Sequence, residues 1–231
     1  MAKDLPENPQ DGEETAPAVR ENFVVRSRSG SFVSDEDLKG RLPKDILKSY
    51  ECHQWKHAAA ILATDFPGEL IDIVEVLREV KLRKSFIVAG GGGKSKYAQA
   101  VDAAFKKRGW APKRFDTAIV VDQKELLSPT HEVDCFKNRI AIELEWSNKD
   151  PFYDRDLNNF RLLFDLRVIS VGIIITKSDE LAGLMSDLGV WEKYGTSTTW
   201  MSKLLPRVLG SGGGGCPLLV FGIRKAQYTE D

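Results

Sequence analysis

A short segment near the middle of the chain alternates strictly between two kinds of side chain, and it constrains the fold more than any other segment. Within residues 139–146, Ala141, Glu143 and Glu145 alternate with four apolar residues, namely Ile140, Ile142, Leu144 and Trp146. A period of two predicts a β-strand on which Glu143 and Glu145 point to the same face. The strongly apolar neighbours indicate a central strand, where two adjacent carboxylates repel each other unless a positive charge lies between them.

A divalent cation is the natural partner for this pair because carboxylate oxygens are the ligands that Mg²⁺ prefers. Asp134, nine residues before Glu143, could supply a third carboxylate from just before the strand. A polar cluster at residues 147–150 follows the strand, and such clusters are typical of sheet ends where ligands bind. The spacing of Asp134, Glu143 and Glu145 therefore predicts a metal-dependent phosphodiesterase. An acidic pair on an exposed strand face is the alternative interpretation.

The composition is that of a globular protein. The chain has 231 residues, of which 42% are hydrophobic, enough for one sizeable α/β domain or at most two small ones. We expect neither a membrane span nor a signal peptide, because the apolar runs are short and none follows a basic N-terminus. The three cysteines lack a Cys-x-x-Cys spacing and predict reduced thiols in a cytoplasmic protein without structural zinc.

Charge is distributed unevenly along the chain. Residues 1–22 are rich in proline and acidic residues. We therefore expect a disordered acidic leader over residues 1–34, followed by a single domain over residues 35–231. Without the acidic segment the chain carries a small positive excess. This excess neither supports nor excludes a nucleic acid partner, which local patches must decide.

Apolar spacing and turn residues predict helices and strands mixed along the chain, which argues for an α/β fold with a central sheet. The predicted helices cover residues 35–50, 50–62, 69–80, 97–108, 157–166 and 202–209. The predicted strands cover residues 117–122, 139–146, 168–176 and 217–223. His53 and His57 would then share one helix face, where we interpret them as ordinary helix residues, because no third metal ligand lies nearby.

A glycine run at residues 90–93 precedes Lys94, Ser95 and Lys96 and resembles a P-loop at first sight. The match fails because Val88 occupies the position where the pattern requires its first glycine. Amides at a helix N-terminus, together with Lys94 and Ser95, could still bind phosphate. We favour a contact with the DNA backbone over nucleotide binding, and a flexible linker is a further alternative.

Several segments together resemble the BglII/BstYI family of type II restriction endonucleases, which have the PD-(D/E)XK nuclease fold. The resemblance rests on Asp134 with Glu143 and Glu145, on the glycine loop with the following helix up to Trp110, and on residues 171–175 and 217–223. These segments occur in the family's order between about residues 50 and 225. The resemblance implies an α/β fold with a central mixed β-sheet flanked by helices, and Mg²⁺-dependent hydrolysis of double-stranded DNA.

The resemblance also implies roles for the acidic residues. Asp134 and Glu143 would hold Mg²⁺ together with the backbone carbonyl of Leu144, and Glu145 would orient or deprotonate the attacking water. The chain departs from the pattern at Glu145, where several members carry Gln, and it lacks the lysine of the Glu-x-Lys pattern in the wider group. Which group activates the water, and whether one or two metals bind, therefore stay open. Lys137 could contact phosphate or be a solvated charge.

Two segments are candidates for reading the DNA bases, because polar side chains near a groove are required for this task. The first follows the catalytic strand and the second precedes the C-terminal helix. The candidate residues are Ser147, Asn148, Lys149, Arg155 and Asp156 in the first segment and Ser197, Thr198, Thr199 and Lys203 in the second. The resemblance further implies a palindromic site and a homodimer. Whether a cognate methyltransferase acts on the same site stays open on the sequence.

Two other interpretations stay open on the sequence. One is a PD-(D/E)XK nuclease that is not a restriction enzyme. The other is a catalytically silent DNA-binding protein with the same fold. The intact set of carboxylates argues against the silent protein, because such a protein gains nothing from the repulsion between them.

Overall fold

The structure is a computed structural model, and it describes residues 32–33, 38–90, 93–127 and 130–231. Its strands are β1 (Phe32–Val33), β2 (Tyr50–Trp55), β3 (Leu82–Arg83), β4 (Ala111–Lys113), β5 (Ala118–Val121), β6 (Lys124–Leu127), β7 (Val133–Lys137), β8 (Ile140–Leu144), β9 (Val171–Lys177), β10 (Leu218–Ile223) and β11 (Tyr228–Thr229). Its α-helices are α1 (Lys44–Ser49), α2 (Ala58–Asp65), α3 (Pro67–Glu79), α4 (Lys84–Val88), α5 (Lys96–Lys107), α6 (Phe152–Asp165), α7 (Leu181–Asp187), α8 (Trp191–Tyr194) and α9 (Met201–Leu209).

A mixed β-sheet forms the centre of the fold. Its strand order is β1-β2-β10-β9-β8-β7-β4, with β8, β9 and β10 parallel and the other neighbours antiparallel. The three parallel strands are buried along their whole length, which explains their nearly continuous apolar sequences. The predicted α/β fold with a central mixed sheet and flanking helices is therefore confirmed.

Two apolar cores cover the two faces of this sheet. On the first, here called the α5 face, Ile142 and Trp146 pack in one cluster with Tyr97 and Val101 of α5. On the second, here called the α6 face, Ala141 packs in one cluster with side chains of α6 and α9. The alternation predicted for residues 139–146 is thus observed. Glu143 and Glu145 follow Ala141 at steps of two and so lie on the α6 face, and both are about 1% exposed.

The helix predicted over residues 50–62 is wrong in its first half. Residues 50–55 form β2, which pairs antiparallel with β10, and only residues from Ala58 onward are helical. Tyr50, Cys52 and Gln54 are buried alternately along β2, so pairing at the sheet outweighs the local helical pattern. His53 lies in the strand and His57 has a left-handed backbone conformation, so the two histidines do not share a helix face.

The strand predicted over residues 117–122 exists, but it lies outside the central sheet. It is β5, which pairs with β6 in a separate two-stranded hairpin. All residues of both strands are exposed, including Val120 and Leu127. The remaining predicted helices and strands are confirmed with shifted ends. The first predicted helix is observed only as α1, and α6 begins five residues earlier than predicted.

Some predictions fall on residues outside the described ranges. These are the leader over residues 1–34, apart from the two residues of β1, the start of the helix predicted from residue 35, and Gly91 and Gly92 of the glycine run. Within the described ranges, no helix has both the length and the apolar character needed to cross a bilayer. Cys52, Cys135 and Cys216 are buried thiols, and no disulfide joins any two of them.

Candidate active site

A tight hairpin of β7 and β8 brings Asp134 next to Glu143. Cys135 pairs with Ile142, so the residues opposite each other one step further along are Asp134 and Glu143. The two-residue turn at Asn138 and Arg139 has positive φ at both positions, as a type I′ turn requires. This turn sets the register of the hairpin, and the register explains how residues nine apart in sequence become neighbours.

Backbone groups fix both of these carboxylates. The amide of Asp134 donates to Glu143 Oε2 at 3.3 Å, and Asp134 Oδ2 accepts from the amide of Leu144 at 3.0 Å. Asp134 is partly exposed, whereas Glu143 is buried. Asp134 and Glu143 are therefore brought together as predicted from the sequence. The role predicted for the carbonyl of Leu144 stays a prediction.

Glu145 is held at the end of β8 by its own backbone and by two polar side chains. Its amide donates to the carbonyl of Ile175 at 2.9 Å, which continues the pairing with β9. Asn148 Nδ2 donates to Glu145 Oε1 at 3.0 Å, and Arg155 Nη2 lies 3.6 Å from the same oxygen. Asn148 and Arg155, which were predicted to read bases, thus contact a predicted catalytic residue.

Helix α6 adds a further carboxylate to the site. Asp156 is fully buried and accepts two hydrogen bonds from the Arg155 guanidinium, at 2.9 Å and 2.7 Å. One ligand atom from each of His131, Glu143 and Asp156 lies within 4.8 Å of the other two. Sequence reasoning assigned Asp156 to base reading and did not single out His131. The position of His131, three residues before Asp134, was the available signal.

The buried carboxylates are only partly satisfied. Glu143 Oε1, Glu145 Oε2 and Asp156 Oδ2 are buried and receive no hydrogen bond from an N–H group among the described residues. Burial, followed by the charge of Asp156, raises the pKa of Glu145 to about 9 and the pKa of Glu143 well above its usual value. Burial also raises the pKa of Asp156 and lowers that of His131. Carboxylates in this arrangement hold protons unless a cation neutralises them.

These observations fit a divalent cation. The unsatisfied oxygens belong to carboxylates, which are the ligands that Mg²⁺ and Mn²⁺ prefer, and the nearby imidazole is a common ligand of transition metals. Burial of an unpaired carboxylate lowers the stability of a protein by roughly several kcal/mol unless a positive charge compensates it. The described structure therefore contains a candidate metal site at the end of β8 on the α6 face.

The glycine loop lies at the edge of this site. Lys94 forms an ion pair with Asp102 of α5, and its Nζ lies 3.8 Å from Asp134 Oδ1. Ser95 caps α5, because its hydroxyl accepts from the amide of Ala98 at 3.1 Å. The segment before the loop is the short helix α4, whereas a P-loop follows a β-strand. The structure thus gives no support to nucleotide binding at this loop.

The two predicted base-reading segments lie side by side. Lys149 forms an antiparallel bridge with Thr198, and the amide of Thr199 donates to the carbonyl of Asn148 at 3.0 Å. Lys149 Nζ also donates to Ser197 Oγ at 2.8 Å. Ser147, Lys149 and Ser197 are exposed. These segments therefore form one continuous polar surface next to the carboxylates.

Four other predicted DNA contacts already have protein partners. Thr198 and Thr199 are buried, and their hydroxyls donate to backbone carbonyls, that of Thr199 to Glu145 at 3.2 Å. Lys203 is paired with Asp150 at 3.2 Å. Lys137 Nζ donates to Asp72 at 2.7 Å and lies at the far end of β7 from Asp134. In this structure the side chains of Thr198 and Thr199 support the loop and are not available to a ligand.

A buried lysine on the opposite face of the sheet escaped the sequence analysis. Lys177 ends β9, is 0% exposed and donates to the carbonyl of Trp146. Its Nζ lies 4.8 Å, 5.4 Å and 5.8 Å from the ring centres of Trp200, Trp146 and Tyr194. Burial lowers the pKa of Lys177 to about 7. The lysine thus holds the backbone directly after Glu145, and its only sequence signal is a charge at the end of an apolar run.

Comparison with known protein families identifies the group to which this arrangement belongs. No curated protein matches the chain. The model of a family described as "Restriction endonuclease BglII/BglIII" matches residues 50–223. The match begins with β2 and ends with β10, so it includes the whole candidate site and most of the chain. The chain therefore belongs to the BglII/BglIII family of restriction endonucleases, which are nucleases that act on DNA.

Proposed function

We propose that this protein is a type II restriction endonuclease that uses Mg²⁺ to hydrolyse double-stranded DNA at a specific palindromic site. The observation that carries the proposal is the group of buried, incompletely satisfied carboxylates at the end of β8. These carboxylates adjoin an exposed polar surface formed by the segments around Lys149 and Ser197. A metal centre next to a polar surface is what sequence-specific phosphodiester hydrolysis requires.

Asp134 and Glu143 are the residues that we propose to hold Mg²⁺, together with the carbonyl of Leu144. Asp156 and His131 lie close enough to Glu143 to complete or support the ligand set. When bound, Mg²⁺ would polarise the scissile phosphate and lower the pKa of a water molecule. The hydrogen bonds from the amides of Asp134 and Leu144 keep the two principal carboxylates in place before any ligand arrives.

Glu145 is the residue that we propose to orient or deprotonate the attacking water. Its carboxylate is directed by Asn148 and lies next to the Arg155 guanidinium. A carboxylate with a raised pKa is a stronger base when it is ionised, and general bases work best when their pKa lies near the working pH. Neutralisation of Asp156 by Arg155 reduces the repulsion that favours the protonated form of Glu145.

We further propose that the protein acts as a homodimer. A palindromic site presents the same half-site twice about a two-fold axis, and a symmetric dimer reads both halves with the same residues. Ser147, Lys149 and Ser197 are the exposed side chains that we expect to contact the DNA. A restriction enzyme of this kind endangers its own host, so we also propose a cognate methyltransferase that modifies the same site.

The proposal is tested by incubating the full-length protein with plasmids of known sequence in the presence of Mg²⁺. We expect discrete fragments whose ends map to one repeated palindromic sequence, and we expect EDTA to abolish cleavage. Methylation of that sequence by a methyltransferase encoded beside the gene should protect the plasmid.

Two outcomes would point to the alternative interpretations. A smear of fragments without a common end sequence would indicate a nonspecific nuclease. Binding to DNA without cleavage in the presence of any divalent metal would indicate a catalytically silent DNA-binding protein. Fragments that share a non-palindromic end sequence would contradict the symmetric homodimer.

A further inference from the structure

A lysine from outside the strand hairpin reaches the proposed catalytic carboxylates. Lys94 follows the glycine run, directly before α5, and its Nζ lies 3.8 Å from Asp134 Oδ1. The other oxygen of Asp134 is occupied by the amide of Leu144. Lys94 therefore approaches the side of Asp134 that the backbone leaves open.

Asp102 of α5 holds Lys94 in this position. The two side chains form an ion pair, and Asp102 Oδ1 is buried with no hydrogen-bond partner among the described residues. Asp102 is only 32% exposed, so its carboxylate is poorly compensated without Lys94. The side chain of Lys94 itself is 46% exposed. Its ammonium is thus anchored at the carboxylates and is also accessible from solvent.

Few cations are available to the three predicted catalytic carboxylates. Among the described residues, their ion-pair partners are Lys94 at Asp134 and Arg155 at Glu145. The guanidinium of Arg155 is held by two hydrogen bonds to the buried Asp156. Lys94 is paired with Asp102 and makes only a long contact with Asp134, so its three-donor ammonium can also contact a bound ligand without leaving Asp102. An ammonium offers such a ligand a compact charge on a flexible stem.

We propose that Lys94 is a catalytic residue that contacts a non-bridging oxygen of the phosphate being cut. This inference rests on the proposed function and names the chain's own cation for that site. Negative charge on the phosphate increases as the water attacks, and a positive group at that oxygen stabilises the transition state more than the ground state. This role differs from that of a residue that contacts a phosphate other than the one being cut, because such a contact affects DNA binding alone.

The test compares Lys94→Met, Lys94→Arg and the control Lys96→Met in single-turnover cleavage with Mg²⁺ and in DNA binding with Ca²⁺. Lys96 is exposed on the same segment and has the same charge. We expect Lys94→Met to lower the cleavage rate about 100- to 1,000-fold, the usual loss for one transition-state donor, while the Kd for DNA changes no more than in Lys96→Met. Lys94→Arg should restore part of the rate.

Three results would overturn this role. The first is a wild-type rate in Lys94→Met. The second is equal weakening of DNA binding in Lys94→Met and Lys96→Met without a loss of rate at saturating protein. The third is the absence of Mg²⁺-dependent cleavage by the wild-type protein, which would overturn the proposed function as well. The first two results overturn only the role of Lys94, so the two kinds of failure can be told apart. Thermal unfolding of each variant verifies that it is folded.

Discussion

At the scale of single residues, the end of β8 concentrates negative charge in a buried place. Glu143 and Glu145 are each about 1% exposed, Asp156 is fully buried, and Arg155 is the cation that bonds to Asp156. A buried charge without a partner lowers the stability of the fold by roughly several kcal/mol. Such a cluster lowers the stability of the ligand-free protein, and a bound ligand of positive charge would compensate it. A metal ion between the DNA phosphate and the carboxylates would do so.

Asp156 is the first residue to test beyond the three carboxylates that the sequence assigned to catalysis. We expect Asp156→Asn to slow cleavage by about 10- to 100-fold and to raise the Mg²⁺ concentration needed, as for residues that support metal ligands. The matched control is Asp165→Asn, because Asp165 is exposed at the other end of α6. Initial rates across a Mg²⁺ titration give the measurement. Equal rates for the two variants would remove Asp156 from the site.

Lys177 makes the stability of the protein depend on pH. An unfolded lysine binds its proton at any pH below about 10, whereas burial lowers the pKa of Lys177 to about 7. Between these values the unfolded state binds more protons, so the free energy of unfolding rises with pH. The penalty from Lys177 is fully present below about pH 7 and diminishes toward pH 10.

The corresponding experiment compares the wild-type protein with Lys177→Met in urea unfolding. Between about pH 7 and pH 9, the free energy of unfolding of the wild type should rise relative to the variant by up to about 1.4 kcal/mol per pH unit. Lys106→Met, which changes an exposed lysine of α5, should behave like the wild type. Parallel pH dependences for the wild type and Lys177→Met would show that Lys177 keeps its proton when folded.

The sequence predicted the acidic part of the site but not its surroundings. Glu143 and Glu145 were predictable because two charges break the apolar pattern of one strand, and a pattern within a strand is local. His131 was not singled out, and Asp156 and Lys94 were predicted to contact DNA rather than to join the carboxylates. All three come from a helix or from loops, where a charged side chain is unremarkable. Their contribution depends on how α6 and the glycine loop pack against the sheet, which single-sequence patterns do not report.

At the scale of elements, helix α6 packs very closely against the sheet at one glycine. A Cβ on Gly172 of β9 would lie 2.5 Å from Phe160 Cδ2 on α6 and 3.0 Å from Leu218 Cδ2. Real Cβ atoms do not approach so closely, so a larger residue at this position would force the Phe160 ring or α6 itself to shift. Because α6 carries Arg155 and Asp156, this contact also sets the geometry of the candidate site.

We therefore expect Gly172→Ala to lower the free energy of unfolding by about 1–3 kcal/mol through overpacking, and to reduce the cleavage rate. The control is Gly183→Ala in α7, where an added Cβ meets nothing within 4 Å. Alanine is favoured over glycine in a helix by up to about 1 kcal/mol, so the control should be as stable as the wild type or more stable. Urea unfolding and cleavage rates provide the measurements. A neutral Gly172→Ala would contradict the close packing.

The elements also show where sequence patterns suffice and where they fail. Strands β9 and β10 were predictable because both consist of nearly continuous apolar residues between turns. Strand β2 was missed because residues 50–55 are polar in part and form a strand through pairing with β10 and β1. The short strands β4 and β7 next to the site also depend on pairing across the sheet. Non-local pairing thus decides the elements that local preference leaves ambiguous.

At the scale of the whole molecule, the proposed palindromic site requires two copies of the chain. We expect sedimentation equilibrium to give twice the chain mass of 25.8 kDa at micromolar concentration, and the protein–DNA complex to contain two chains per site. A single chain bound to a cleavable site at all concentrations would contradict the homodimer. It would leave the metal site untouched, because the described carboxylates all come from one chain.

The carboxylates around Glu143 are proposed to form a Mg²⁺ site that cuts DNA. The most direct measurement is the rate of plasmid cleavage across a Mg²⁺ titration for the wild type and Glu143→Gln, with DNA binding of both measured in Ca²⁺. Wild-type cleavage should depend on Mg²⁺, and Glu143→Gln should lose at least about 100-fold in rate while it binds DNA as tightly or more tightly. Cleavage in EDTA, or a wild-type rate in Glu143→Gln, would contradict the account.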